Sequence, residues 1–296
     1  MIRIDWARWR GRAAVWATLA LALGVTPARA DPPIWSVAGA EGEVTMFGSV
    51  HLLAESTQWK TARLADALAK ADEVWFEIPF DAAAQSQAGA EALRRGLLSD
   101  KESLSKILPP DVWERLATTA TTLGIEPARL DRLRPWLAEI TLATTYLARR
   151  GAQESLGVER QLYESTPATA EKKAFETPAE QIGFFADAAL TDQIASLRET
   201  LREIAEEPDS FDRLSAAWAA GDVGVIEADA VEDLRRDAPG MYERLVAARN
   251  RRWVVEIERL LKARRRVLIV VGVGHLVGPD SVPALLRRRG VAVEGP

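Results

Sequence analysis

The sequence predicts an α/β (α+β) fold, a central, mostly parallel sheet formed by the N- and C-terminal segments with a large helical insertion between them. Three observations predict it. Residues 43–48 and 73–78 are short apolar, β-branched or aromatic runs bounded by breakers. Residues 267–271 are continuously apolar, as a central strand covered on both faces should be. Between these ends, residues about 82–263 carry mostly helical periodicity, broken at Pro109-Pro110, Gly124 to Pro127, Pro135, Gly151 to Gly157, Pro208 and Gly221.

Taken from the N-terminus, residues 1–30 read as an export signal. Arg3, Arg8, Arg10 and Arg12 precede an apolar run over 13–25, and Ala28-Arg29-Ala30 offers a small-x-small cleavage site. The run is about 13 residues, short of the roughly 20 that span a bilayer. No stable membrane insertion is therefore expected after cleavage. Residues 31–296 form the expected mature domain, secreted across the inner membrane into the periplasm.

Within that domain, 43–48 is the first predicted strand. Ser56 or Thr57 caps a helix in which Leu64, Ala67, Leu68 and Ala71 recur at helical spacing. Residues 73–78 then complete a βαβ unit, whose strands should run parallel with a right-handed crossover. Inside the insertion, 172–175 reads as a short strand, and Thr177 caps a long helix containing Gln181 and Phe185. After the strand at 267–271, a short helix turns Leu285 and Leu286 inward and stops at Gly290, and 291–294 adds a last strand. The dispersed tryptophans, among them Trp35, Trp59, Trp136, Trp218 and Trp253, are expected to pack the core.

Composition excludes several chemistries. The 296 residues include no Cys and only two His. Thiol nucleophiles, zinc ribbons, iron–sulfur clusters and covalently attached haem are thereby ruled out, and any metal centre must be completed by carboxylates. Removal of residues 1–30 takes five Arg and one Asp, leaving 33 basic and 42 acidic residues and a formal charge of −9. No nucleic-acid partner is expected at that charge. A small-molecule or peptide substrate remains, and the sequence leaves the oligomeric state open.

Both histidines share one context, Gly48-Ser49-Val50-His51 and Gly272-Val273-Gly274-His275, each after a predicted parallel strand. Ligands gather beyond the carboxyl ends of such strands. The glycines permit backbone conformations and close approaches that a Cβ would block. Glu77 ends the second predicted strand, and burying its carboxylate requires a cation, a proton or a metal, or an Arg as an ion-pair partner. Two neutral imidazoles and a carboxylate at one sheet edge form a candidate first shell for a divalent metal (Mn, Co or Zn) that polarises a carbonyl and activates water. A metal-free alternative uses one His as general base, positioned by Glu77. No His-Glu-x-x-His and no Gly-x-Ser-x-Gly motif is present.

The paired Gly-x-x-His motifs, with Glu77 in Val-Trp-Phe-Glu-Ile after the first, resemble the TraB/GumN family, which includes the Tiki-type proteases. Gly157-Val158-Glu159, Phe175-Glu176-Thr177 with Gln181, Trp218 to Asp222, and Arg249-Asn250 before Trp253 are similar as well. The resemblance implies an erythromycin-esterase-like fold and a metal-dependent hydrolase, peptidase-like and acting on an amide or ester bond. It implies His51, Glu77 and His275 as catalytic and metal-binding residues, and Glu159, Arg249 and Asn250 as substrate contacts. Glu159 stands where the family pattern more often has Asp. The rival expectation is a non-catalytic envelope protein that holds a metal, haem or small ligand at the same place.

Overall fold

The computed structural model describes residues 31–296 apart from 40–41 and 54–56. The export signal predicted for 1–30 and the candidate cap Ser56 lie outside the described residues. Five strands form one sheet in the order β1-β2-β5-β3-β4: β1 (Ile34–Ala38), β2 (Glu43–Ser49), β3 (Glu73–Phe76), β4 (Glu171–Ala174) and β5 (Arg266–Gly272). β1 is antiparallel to β2, and the other pairings are parallel.

β5 lies in the middle, as its unbroken apolar run predicts. Val267 to Val271 are all buried, so the strand has a covered neighbour on both faces and both edges. β2 and β3 belong to the predicted βαβ unit, but β5 enters between them, and each pairs with β5 rather than with the other. The connecting helix Ala62–Lys70 starts later than predicted. Thr61, not Ser56 or Thr57, is its cap, with the Thr61 hydroxyl accepting from the Leu64 amide at 3.2 Å.

The insertion is helical apart from β4, which joins the edge of the sheet beside β3. Its helices enclose a second apolar cluster of their own, around Leu104, Leu116, Leu142 and Leu197, separate from the sheet's core. Thr177 does cap a helix, with a full capping box to Glu180, but Pro178–Ala186 is nine residues long rather than extended, and a separate helix runs from Leu190 to Glu206. At the C-terminus, Val282–Arg288 forms the predicted short helix. The predicted strand at 291–294 is reduced to one antiparallel bridge, in which Glu294 exchanges both backbone hydrogen bonds with Ser36 at 2.9 Å. That bridge blunts the outer edge of β1. Among the described residues, no helix is long and apolar enough to cross a membrane.

The segment leading to His51 is tied to the insertion by backbone contacts. Val158 donates to the Val50 carbonyl at 3.1 Å, and Gln153 donates to Leu53 at 3.0 Å. Between them sits Gly157, where a Cβ would lie 2.2 Å from the His51 carbonyl oxygen. Gly89, on the helix Ala82–Gly96, has nothing within 4 Å of its Cβ position. Gly157→Ala is expected to destabilise the fold by about 1–3 kcal/mol through overpacking, whereas Gly89→Ala should stabilise it by up to about 1 kcal/mol through helix propensity. Urea denaturation of the two variants beside wild type checks the contrast.

Candidate functional site

The carboxyl ends of β2, β5 and β3 deliver His51, His275 and Glu77 to one edge of the sheet. Their side chains converge on a single point, the place a Cβ would occupy at Gly272. Glu77 Oε1 is 3.1 Å from it, His275 Cδ2 is 3.8 Å and His51 Nε2 is 3.9 Å. A Cβ at Gly272 would crowd the Glu77 carboxylate, which would have to give by a few tenths of an ångström. Gly48 is closely approached as well, since a Cβ there would meet Val273 Cγ2 at 2.8 Å. Neither glycine has a positive φ, so close approach alone, not an unusual backbone conformation, explains the Gly-x-x-His spacing.

Each core residue has its own partner. His51 Nδ1 lies 2.8 Å from Glu159 Oε1, and the Ser49 hydroxyl donates to the same oxygen. Glu159 is buried, whereas the His51 side chain is 63% exposed. The buried carboxylate raises the His51 pKa to about 9, against a smaller opposing effect of desolvation. His275 is buried, with Nδ1 at 2.7 Å from Asn250 Oδ1 and Nε2 at 3.0 Å from Arg249 Nη1. The Asn250 amide is oriented by donating to the His275 and Asp280 carbonyls. An amide oxygen at Nδ1 and a guanidinium donor at Nε2 select the neutral Nδ1–H tautomer. Burial, opposed by Glu77 and helped by Arg249, lowers the His275 pKa to about 3.

Glu77 is just past the last paired residue of β3. Its Oε1 accepts from the Gly272 amide at 2.8 Å, and its Oε2 accepts from Arg249 Nη2 and, at 3.4 Å, from Gln181 Nε2. Burial opposes its ionisation, but the Arg249 charge, with the two imidazoles, holds its carboxyl well below the usual range. Of the partners left open by the sequence for this carboxylate, the structure shows the Arg.

Glu159, Arg249 and Asn250, expected as substrate contacts, are all buried behind the three core residues. Glu176 was not singled out for a role. It lies two residues past the end of β4, beside the end of β3, with the Glu176 amide donating to the Glu77 carbonyl at 3.0 Å. Its carboxylate accepts from Arg249 Nε at 2.9 Å and Nη2 at 2.8 Å, from Arg252 at 3.1 Å and from Trp253 Nε1 at 3.1 Å. The signal available in the sequence was an acid directly after the predicted strand at 172–175, comparable to Glu77 near the end of 73–78. Trp253 also packs on His275, with ring centroids 4.4 Å apart.

The donor set suits a divalent cation in kind. Both imidazoles spend Nδ1 on an acceptor and leave Nε2 for another partner, the usual orientation of metal-ligating histidines. Glu77 Oε1 lies 3.8 Å from His275 Nε2, a separation that two ligands of one ion at about 2 Å each can have. As arranged, however, no group of three His, Asp or Glu side chains that could hold a metal is found among the described residues. Arg249 is in contact with both Glu77 and His275.

The raised His51 pKa has a definite sign for stability. Because the folded value, about 9, exceeds the ordinary value near 6.5, the pairing stabilises the metal-free fold fully below about pH 6.5 and is lost as pH rises through about 9. Glu159→Gln should abolish that pH dependence. Urea denaturation of metal-free protein between pH 6 and 10, with the His51 ring proton followed by NMR, checks both the window and the residue.

The family model described as TraB/PrgY/gumN matches residues 33–295. A Treponema pallidum (strain Nichols) protein, itself named only as uncharacterized, is 22% identical over 270 residues, covering 86% of this chain and 80% of its own. No solved structure gives a significant match. The match spans both Gly-x-x-His strand ends and every residue of the site described above, and the chain belongs to the TraB/PrgY/gumN family.

Proposed function

We propose that this chain is an exported, metal-dependent hydrolase of amide or ester bonds, peptidase-like, acting at the His51, Glu77 and His275 site. The observation that carries the reading is the convergence of these three side chains within 4 Å of the Gly272 Cβ position. His51, Glu77 and His275 would hold the cation (Mn, Co or Zn), whose chemistry is to polarise a scissile carbonyl and acidify a water.

The chain's own residues supply the rest. Glu159 orients His51, the most exposed of the three, so a substrate arriving from solvent meets His51 first. Asn250 fixes the His275 tautomer and so leaves its Nε2 lone pair free to accept, here from Arg249. Trp253 covers one side of that imidazole and keeps water from it. The Gly272 amide holds Glu77 Oε1 in place. Export is supported by the basic, apolar and small-residue succession over residues 1–30.

Turnover of a panel of peptide, amide and ester substrates by the mature protein, supplied in turn with Mn, Co and Zn, tests the reading. Activity should be lost with chelator, and should fall by at least about 100-fold in folded His51→Ala and His275→Ala variants, a loss typical of removing a group from a catalytic unit. Metal content measured beside activity should fall in parallel. Equal, near-zero metal content in wild type and both variants would sink the metal assignment, and metal binding without turnover of any substrate would leave a binding protein instead.

A further inference from the structure

A guanidinium has five N–H donors, and all five of Arg249 are engaged. Nε donates to Glu176, one Nη2 hydrogen goes to Glu176 and the other to Glu77, and Nη1 serves the Leu245 carbonyl at 2.9 Å and His275 Nε2 at 3.0 Å. The group also lies over two rings, with Cζ 5.0 Å from the Phe184 centroid and 4.8 Å from that of Trp253. Three of the five donors thus go to partners outside the set His51, Glu77 and His275. Only two go to that set, and they occupy one carboxylate oxygen of Glu77, Oε2, and the His275 Nε2 lone pair that a cation would need.

We propose that Arg249 is a tethered internal cation that competes with a divalent metal for Glu77 and His275, and that Glu176 is the anchor that retains it when the metal enters. The proposal rests on the metal-assisted reading above and specifies what sets the affinity of that site. A guanidinium in contact with Glu77 neutralises a carboxylate that would otherwise be buried with an uncompensated charge, so the fold is complete without metal. A doubly charged ion bound to the same carboxylate would repel a guanidinium left within a few ångströms. Withdrawal toward Glu176 breaks the contacts to Glu77 and His275 and keeps the carboxylate of Glu176 as partner, so Arg249 is never left as an unpaired buried charge. The sites of the two carboxylates make this possible, since Glu77 and Glu176 follow neighbouring strands and one guanidinium reaches both. Arg249 and Glu176 are positioning residues in this scheme, acting on the site through Glu77 and His275.

Calorimetric titration of the metal-free mature protein with Mn, Co and Zn ions separates this from a purely structural role. Arg249→Met should tighten metal binding by about tenfold or more, and Arg249→Lys, which keeps a charge but cannot hold both carboxylates and His275 together, by a smaller factor. Glu176→Gln should weaken it by about tenfold, because Glu77 is then the one carboxylate that pairs with Arg249; shifts of this size are usual for groups next to metal ligands. Circular dichroism confirms that each variant is folded, and if Arg249→Met is not, the opposed directions of Arg249→Lys and Glu176→Gln still decide. Equal or weaker binding in the folded Arg249 variants overturns the competition while leaving the metal site standing. No binding by any variant or by wild type overturns both.

Discussion

Two carboxylates buried side by side impose the constraint on which the rest of the site depends. Glu77 and Glu176 leave adjacent parallel strands, one and two residues past their last pairing, and are both almost fully enclosed. Like charges in such a place cannot both ionise without a cation between them. Arg249 meets that need, and in doing so it fixes the helix Ala248–Leu260 against the sheet. From the same helix, Asn250 then reaches His275 Nδ1, and Trp253, one turn on, covers the His275 ring and donates to Glu176. A short π-helical segment, Glu243–Ala247, leads into this helix and presents the Leu245 carbonyl to Arg249. Removing one member of such a buried set typically costs about 3–5 kcal/mol, so the geometry at His275 is an output of the ion network.

The order of strands explains why the site needs both ends of the chain. β5 carries His275, comes last in sequence and fills the gap between β2 and β3. Until it is in place, His51 and Glu77 are on strands that do not touch. The insertion contributes at two points. Glu159 stands behind His51 at the start of the helix Val158–Ser165, and Trp218 donates to the Gly48 carbonyl at 2.7 Å while packing against Phe47 and Trp59. Those contacts give the Gly157-Val158-Glu159 and Trp218 motifs a physical purpose, namely holding the end of β2 and the imidazole beyond it.

Periodicity made the sheet largely legible. β2, β3 and β5 are short, strongly apolar and bounded by breakers, and their burial matches what that pattern demands. β1 was not legible, because Ile34–Ala38 takes its place through antiparallel pairing with β2, which local periodicity does not display. The late start of the first helix and the reduction of 291–294 to one bridge are boundary effects, decided by which hydroxyl meets an amide and by how far the chain follows β1. At the site, the residues on strand ends were legible because topology alone sends them to one edge. Arg249 and Asn250 were named, yet their burial and the identity of their partners were not, since contacts between a helix and strands far away in sequence have no local signature. Glu176 was hidden for the same reason, although, like Glu77, it is an acid close behind a strand end.

Two copies of one motif have reached opposite electrostatic states, and their partners account for it. His51 is open to solvent and faces the buried carboxylate of Glu159, which favours the protonated ring. His275 is enclosed, faces the neutral amide of Asn250 and the positive guanidinium of Arg249, and is kept neutral. An exposed imidazole that carries a proton and a buried one that offers a lone pair are not interchangeable, whatever their shared spacing from glycine. In the metal-assisted reading proposed above, uptake of a cation would demand a different change at each: loss of a proton at His51 and departure of the Arg249 donor at His275.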